Sequence, residues 1–143
     1  MILWVHSYLC SDIDRLWLCA FSHGKRDIEQ DVITESGMTP ARLKALYDST
    51  LNSKPLPKQI VNKLYADKNE IIYELKKSSV RLTFFTDKNL QYEEIIIPKI
   101  IVCLSYFIKK TNKTHKEDID RAIIARNTYL EAKNNGALEI LNV

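Results

Sequence analysis

Cationic side chains that could grip an anion gather at two places in this 143-residue chain. One is the segment holding Lys76, Lys77 and Arg81. The other is Lys109-Lys110-Thr111-Asn112-Lys113, followed by Lys116, with no acid between Ile95 and Lys116. Positive charge fixed at the end of a rigid element attracts anions, and a phosphate chain is the commonest large one. The same lysines would equally suit a solvated turn that serves only solubility. Arg81 stands in an otherwise apolar stretch, Val80–Phe85. An arginine so placed is ordinarily an anion clamp or half of an ion pair, with Glu74 across a hairpin as its partner in the second case. Glu74 is also a candidate proton acceptor.

The elements that would hold these groups follow from periodicity. Ile100–Leu104 is an uninterrupted apolar run, read as a central strand covered on both faces. Thr114-x-x-Glu117 forms a capping box, and Glu117, Asp118 and Asp120 suit the positive end of a helix dipole. That helix should run to about Asn134 with Ile119, Ala122, Ile123 and Leu130 inward, and stop at Asn135-Gly136. From Glu70 the period becomes two: Ile71, Tyr73 and Leu75 alternate with Ile72, Glu74 and Lys76. A short polar turn, Lys77-Ser78-Ser79, leads to Val80–Thr86, so the pair reads as an antiparallel hairpin.

The first half reads as Ile2–Leu9 in a strand, then a helix opened by Ser11-x-x-Asp14 with Ile13, Leu16, Trp17, Ala20 and Phe21 on one face. A strand is the rival reading of Leu16–Phe21. Lys25–Ser36 is expected as a helix ended by Gly37, and Thr39-Pro40 opens another over Pro40–Leu51. Lys58–Leu64 reads as a short helix or an irregular crossing. Thr86–Lys99 reads as a charged connection in which Glu94–Ile97 extends the sheet. The apolar tail Ala137–Val143 is expected to dock or to pair with another chain. This order of strand, helices, meander and final helix is α+β.

Length and composition fit one domain over residues 1–143, large enough to bury roughly 70% of its unfolded surface. The net charge of +3 is unevenly spread: residues 1–53 carry five basic and seven acidic side chains, residues 54–143 sixteen and eleven. Cys10, Cys19 and Cys103 show no paired spacing and no zinc or redox motif, which fits a reducing cytosol. No apolar run approaches the ~20 residues of a membrane span.

The string Phe107-Ile108-Lys109-Lys110-Thr111-Asn112-Lys113-Thr114, then Ile119 and Ala122, resembles the C-terminal motif of HigB-type toxins in the RelE superfamily, including its phage-derived branch. Tyr73-Glu74-Leu75-Lys76 and Val80-Arg81-Leu82-Thr83-Phe84-Phe85 resemble two strand motifs of that branch, in the same order. The resemblance covers about residues 55–134. It implies a small twisted antiparallel sheet with packed helices and a basic groove, RelE-like, in the toxin half of a type II toxin–antitoxin pair. The implied activity is metal-independent cleavage of messenger RNA on the ribosome by attack of a 2′-OH on the adjacent phosphate. No cofactor is implied. The implied partners are the ribosome-bound mRNA and a cognate antitoxin, a helix-turn-helix protein encoded alongside, in the cytoplasm and away from membranes.

Such a reaction needs a proton acceptor, cations for the phosphoryl charge and a donor for the leaving oxygen. Arg81, Lys76, Lys110 and Tyr106 are the catalytic candidates, and Lys109, Lys113, Lys77 and His115 the RNA-binding ones. Lys76 stands where the family usually has arginine, and keeps charge without bidentate geometry. Crowded by other cations, it is a candidate proton acceptor. Tyr106 stands where relatives often carry histidine, and a phenol can stack on a base or donate a proton. His115 replaces the usual proline. These departures keep open a second reading, an RNA-binding or antitoxin-binding protein without catalysis.

Overall fold

The apolar run does lie at the centre: Ile100, Ile101, Val102, Cys103 and Leu104 are all fully buried. A computed structural model describes residues 2–6, 15–23, 26–27, 38–68, 70–111 and 116–142. Within them are β1 (Ile2–Val5), β2 (Leu16–His23), β3 (Arg26–Asp27), α1 (Pro40–Leu51) and β4 (Val61–Asp67). Next come β5 (Glu70–Lys77), β6 (Val80–Tyr92), β7 (Ile95–Ile108), α2 (Lys116–Asn134) and β8 (Glu139–Asn142). The sheet order is β4-β5-β6-β7-β2-β1-β8, and β3 pairs with β2 off this path.

This corrects the expectation of a small twisted antiparallel sheet of RelE-like α+β type. The sheet is larger and mixed. β2 runs parallel to β7 from Leu16↔Lys99 to Ala20↔Cys103, and β8 runs parallel to β1 from Ile2↔Glu139 to Val5↔Asn142. The physical reason lies in β2. Leu16–Ala20 is buried throughout, so this strand needs no alternation, and its apolar run fits helical spacing equally well. The helix expected there is therefore a strand, as the rival reading had it.

Other differences have similarly local causes. Thr86–Lys99 is not a connection, because β6 and β7 stay paired out to Tyr92↔Ile95. Asn89 and Glu93 take left-handed φ of 56° and 53° within this arm. Pro98 has no ladder partner in the register, as a residue without an N–H requires. Lys58–Leu64 is neither helix nor crossing; a turn leads into β4, which pairs antiparallel with β5. The tail pairs within this chain, through β8. Arg26–Asp27 is a strand, whereas the rest of the helix expected over Lys25–Ser36, the Ser11–Asp14 start and the Thr114 cap lie outside the described residues.

The β5–β6 hairpin forms as its period predicts, with Lys77↔Val80 closing a two-residue turn and Ser78 at φ 53°. α1 starts as its cap predicts: Thr39 Oγ1 accepts from the Arg42 N–H at 3.2 Å. The helices take opposite faces of the sheet. Leu46, Ser49 and Thr50 of α1 share an apolar groove with Tyr73, Phe84 and Thr86. α2 meets the intervening residues: Tyr129 packs edge-on against Phe85 at 5.6 Å, and Lys133 Nζ reaches Asp87 at 2.9 Å. Arg126 lies over Phe85 and pairs with Glu70 at 3.0 Å. Gly136, at φ +65°, follows the helix as a left-handed stop. No helix of the described residues is long and apolar enough to cross a membrane.

The Tyr129 hydroxyl donates to Asp87 Oδ2 at 2.8 Å. Burial, and then the Asp87 charge, push its ionisation far above the ordinary tyrosine range. The folded state thus prefers the neutral phenol. Its contribution to stability is complete below the unfolded value of about 10 and declines as pH rises above it. In an alkaline titration followed by phenolate absorbance, Tyr129 should ionise only as the protein unfolds. Tyr129→Phe should remove one phenolate from that unfolding-linked step; an unchanged step would contradict this.

Candidate anion-binding site

Strand register decides which candidate residues meet. Lys76, Arg81 and Phe107 are cross-strand neighbours on β5, β6 and β7. Glu74, Thr83 and Ser105 form the adjacent row. Because side chains alternate, both rows occupy one face of the sheet. Leu75, Leu82 and Tyr106 form a row on the other face, as do Lys77, Val80 and Ile108. The sheet therefore separates Tyr106 and Lys77 from Arg81. Counting register across the hairpin was the signal in the sequence that would have shown this.

At the open end of this face, Arg81, Lys109, Lys110 and Thr111 line a cavity of about 280 Å³. The end of β7 is held to the hairpin turn by the Lys109 N–H, which donates to the Ser79 carbonyl at 2.7 Å. This contact brings the lysine loop alongside Arg81. Thr111 is an addition to the expected set; its signal was the hydroxyl inside the Lys109–Lys113 run. Lys113 and His115 lie outside the described residues.

Arg81 is held from two sides. Its Nη1 donates to the Ser78 carbonyl at 2.7 Å and to the Val80 carbonyl at 3.0 Å. Its Nε lies 4.0 Å from Glu74 Oε2. Lys76 Nζ lies 4.0 Å from Glu74 Oε1 and donates to the Lys58 carbonyl at 3.1 Å. One buried carboxylate therefore faces two cations. Arg81 thus faces Glu74 and also lines the cationic cavity. Behind the cations the polar row is closed off. Thr83 and Ser105 hydroxyls lie 2.6 Å apart, and the Ser105 N–H donates to Thr83 Oγ1 at 3.0 Å. Both residues are buried, so their bonding satisfies groups that water does not reach.

The arrangement can neutralise an anion with an arginine and two lysines from two separate segments. The cleft lies on one face of a large mixed sheet, where the end of β7 meets the β5–β6 turn. The model of the phage-derived Gp49-like proteins (DUF891) matches residues 41–127, more than half of the chain. The chain belongs to this family, one of RelE-like, toxin-like proteins. No curated protein matches it. The matched stretch holds every candidate residue from Lys76 to His115. β1, β2, β3 and β8, which enlarge the sheet, fall outside it.

Proposed function

We propose that this protein is the toxin of a type II toxin–antitoxin pair, of HigB kind, acting in the cytoplasm as a metal-independent endoribonuclease on ribosome-bound mRNA. The carrying observation is the cationic cavity of Arg81, Lys109, Lys110 and Thr111. Family membership supports the toxin role in general terms. In this reading residues 1–143 act as one domain. The backbone phosphate enters the cavity, Lys109 and Lys113 hold flanking phosphates, and Arg81 and Lys110 neutralise charge that builds as the 2′-OH attacks in line. Lys76 is already engaged by the Lys58 carbonyl and Glu74, which suits it to carrying charge better than to abstracting a proton. The cognate antitoxin, a helix-turn-helix protein, covers the cavity or displaces α2.

The positions of Tyr106 and Lys76 favour one alternative, a protein that binds RNA or an antitoxin without cutting. Induced expression separates the two. The toxin should arrest bacterial growth and yield cut mRNA on purified ribosomes. Growth without arrest, together with intact mRNA, would leave the binding protein. A second expected result concerns salt. Each lysine on a phosphate displaces condensed counterions, so Lys109→Ala, Lys110→Ala and Lys113→Ala combined should flatten the salt dependence of RNA binding by about one unit per lost contact. An unchanged slope would place the RNA elsewhere.

A further inference from the structure

We infer that Glu74 is a positioning residue for this cleft: it holds the Arg81 guanidinium so that Nη2 stays available to a phosphate. The inference rests on the phosphate-binding reading of the cavity. Glu74 is 3% exposed, and among the described residues it is the carboxylate within ion-pair distance of both Arg81 and Lys76. Its Oε2 and the Arg81 Nε are each buried and make no hydrogen bond among the described residues. At 4.0 Å they are too far apart for one. Their attraction is therefore one of charge, while the Ser78 and Val80 carbonyls fix direction by taking Nη1.

A guanidinium offers five N–H donors. Nη1 spends its pair on the two carbonyls, and Nε faces Glu74. Among the described residues the two donors of Nη2 remain, on a residue that lines the cavity. Each can give a charge-assisted hydrogen bond to a phosphoryl oxygen.

The sign of the effect tells this role from a simple one. An acid beneath two cations weakens attraction for RNA, so binding alone gives no reason for it. Its contribution is geometric: without the counter-charge a buried guanidinium turns toward water, since an uncompensated buried charge is costly. Glu74→Gln keeps shape and removes charge. It should bind RNA as tightly as the wild type or more tightly, yet cleave more slowly. A residue that merely stabilises the fold would lower binding, rate and melting temperature together.

The test uses the full chain. Affinity is read with a single-stranded RNA whose 2′ oxygens are methylated, and cleavage with ribosome-bound mRNA. Glu74→Gln should lower kcat by about 10-fold to 100-fold, the scale of a small misplacement of a catalytic group, with affinity held or raised. In the Arg81→Lys background the same change should cost nothing more. A rate within about twofold of the wild type, or losses that multiply in the double variant, would overturn the proposal. Should Glu74→Gln fail to fold, the wild type suffices. Its Arg81 Nε–H should give an NMR signal protected from solvent exchange and close in space to the Glu74 side chain; a rapidly exchanging signal would overturn the assignment. That measurement uses no RNA. A wild type that holds Arg81 as described but cuts nothing would count against the nuclease reading alone.

Discussion

Arg81→Ala is expected to lower mRNA cleavage on purified ribosomes by about 10²–10³, the usual cost of losing a preorganised donor to transition-state charge. Growth arrest on induction should vanish with it. The fold should survive, for a reason visible in the hairpin. The bonds of Nη1 run to Ser78 and Val80, in and beside the same turn, and Glu74 keeps Lys76 at 4.0 Å when Arg81 is gone. Arg81→Lys should restore activity only in part, because a point charge does not contact two phosphoryl oxygens in one plane. If Arg81 served only to balance Glu74, its removal would instead cost about 3–5 kcal/mol, as breaking a buried pair does. Melting temperature and cleavage measured on one preparation separate these results. A stable, fully active Arg81→Ala protein would refute both roles.

The largest loss of stability is expected from Tyr129→Ala. Tyr129 is fully buried, packs on Phe85 and donates to Asp87, which also accepts from Lys133. Truncating a buried aromatic to alanine typically costs about 3–5 kcal/mol. Here the change also takes one partner from Asp87, only 14% exposed at its side chain. Against a total of about 5–15 kcal/mol for a domain, the loss is a large fraction. Urea unfolding would measure it, with Ile124→Ala as the control. Ile124 is on the same helix but 65% exposed, and its truncation should stay within about 0.5 kcal/mol. Equal effects of the two changes would show that α2 is not anchored through Tyr129.

Patterns complete within a few residues were legible in the sequence. The Ile100–Leu104 strand, the β5–β6 hairpin, the Thr39-Pro40 helix start and the Gly136 stop each follow from a handful of adjacent side chains. Pairings set by distant segments were not. Nothing in Leu16–Phe21 announces a parallel partner at Lys99–Cys103. The β6–β7 arm was hidden for the opposite reason. It carries exposed polar residues on both strands, Ile95 and Ile96 are 50% and 59% exposed, and the buried pair Leu90 and Ile97 is too short a run to impose alternation. In the site, charge and residue type indicated Arg81 and the lysine loop, and register then brought them together. The same register set Tyr106 and Lys77 behind the sheet, a division that composition and motif do not encode. Thr83 and Ser105 escaped notice because hydroxyls become informative only once their burial is known.

The β1–β8 ladder has a consequence for how the chain is made. It joins Ile2 to Glu139 and Leu3 to Ile140, one short strand from each extreme of the sheet-forming chain. Closing so long a loop costs entropy before any contact returns it, which slows folding. During synthesis β2 follows β1 closely, but the other edge of β1 waits until Glu139–Asn142 has been made. Until β8 arrives, that edge presents open backbone donors and acceptors to any neighbouring strand, the usual route to aggregation. Shortening the chain before Glu139 would make this transient exposure permanent.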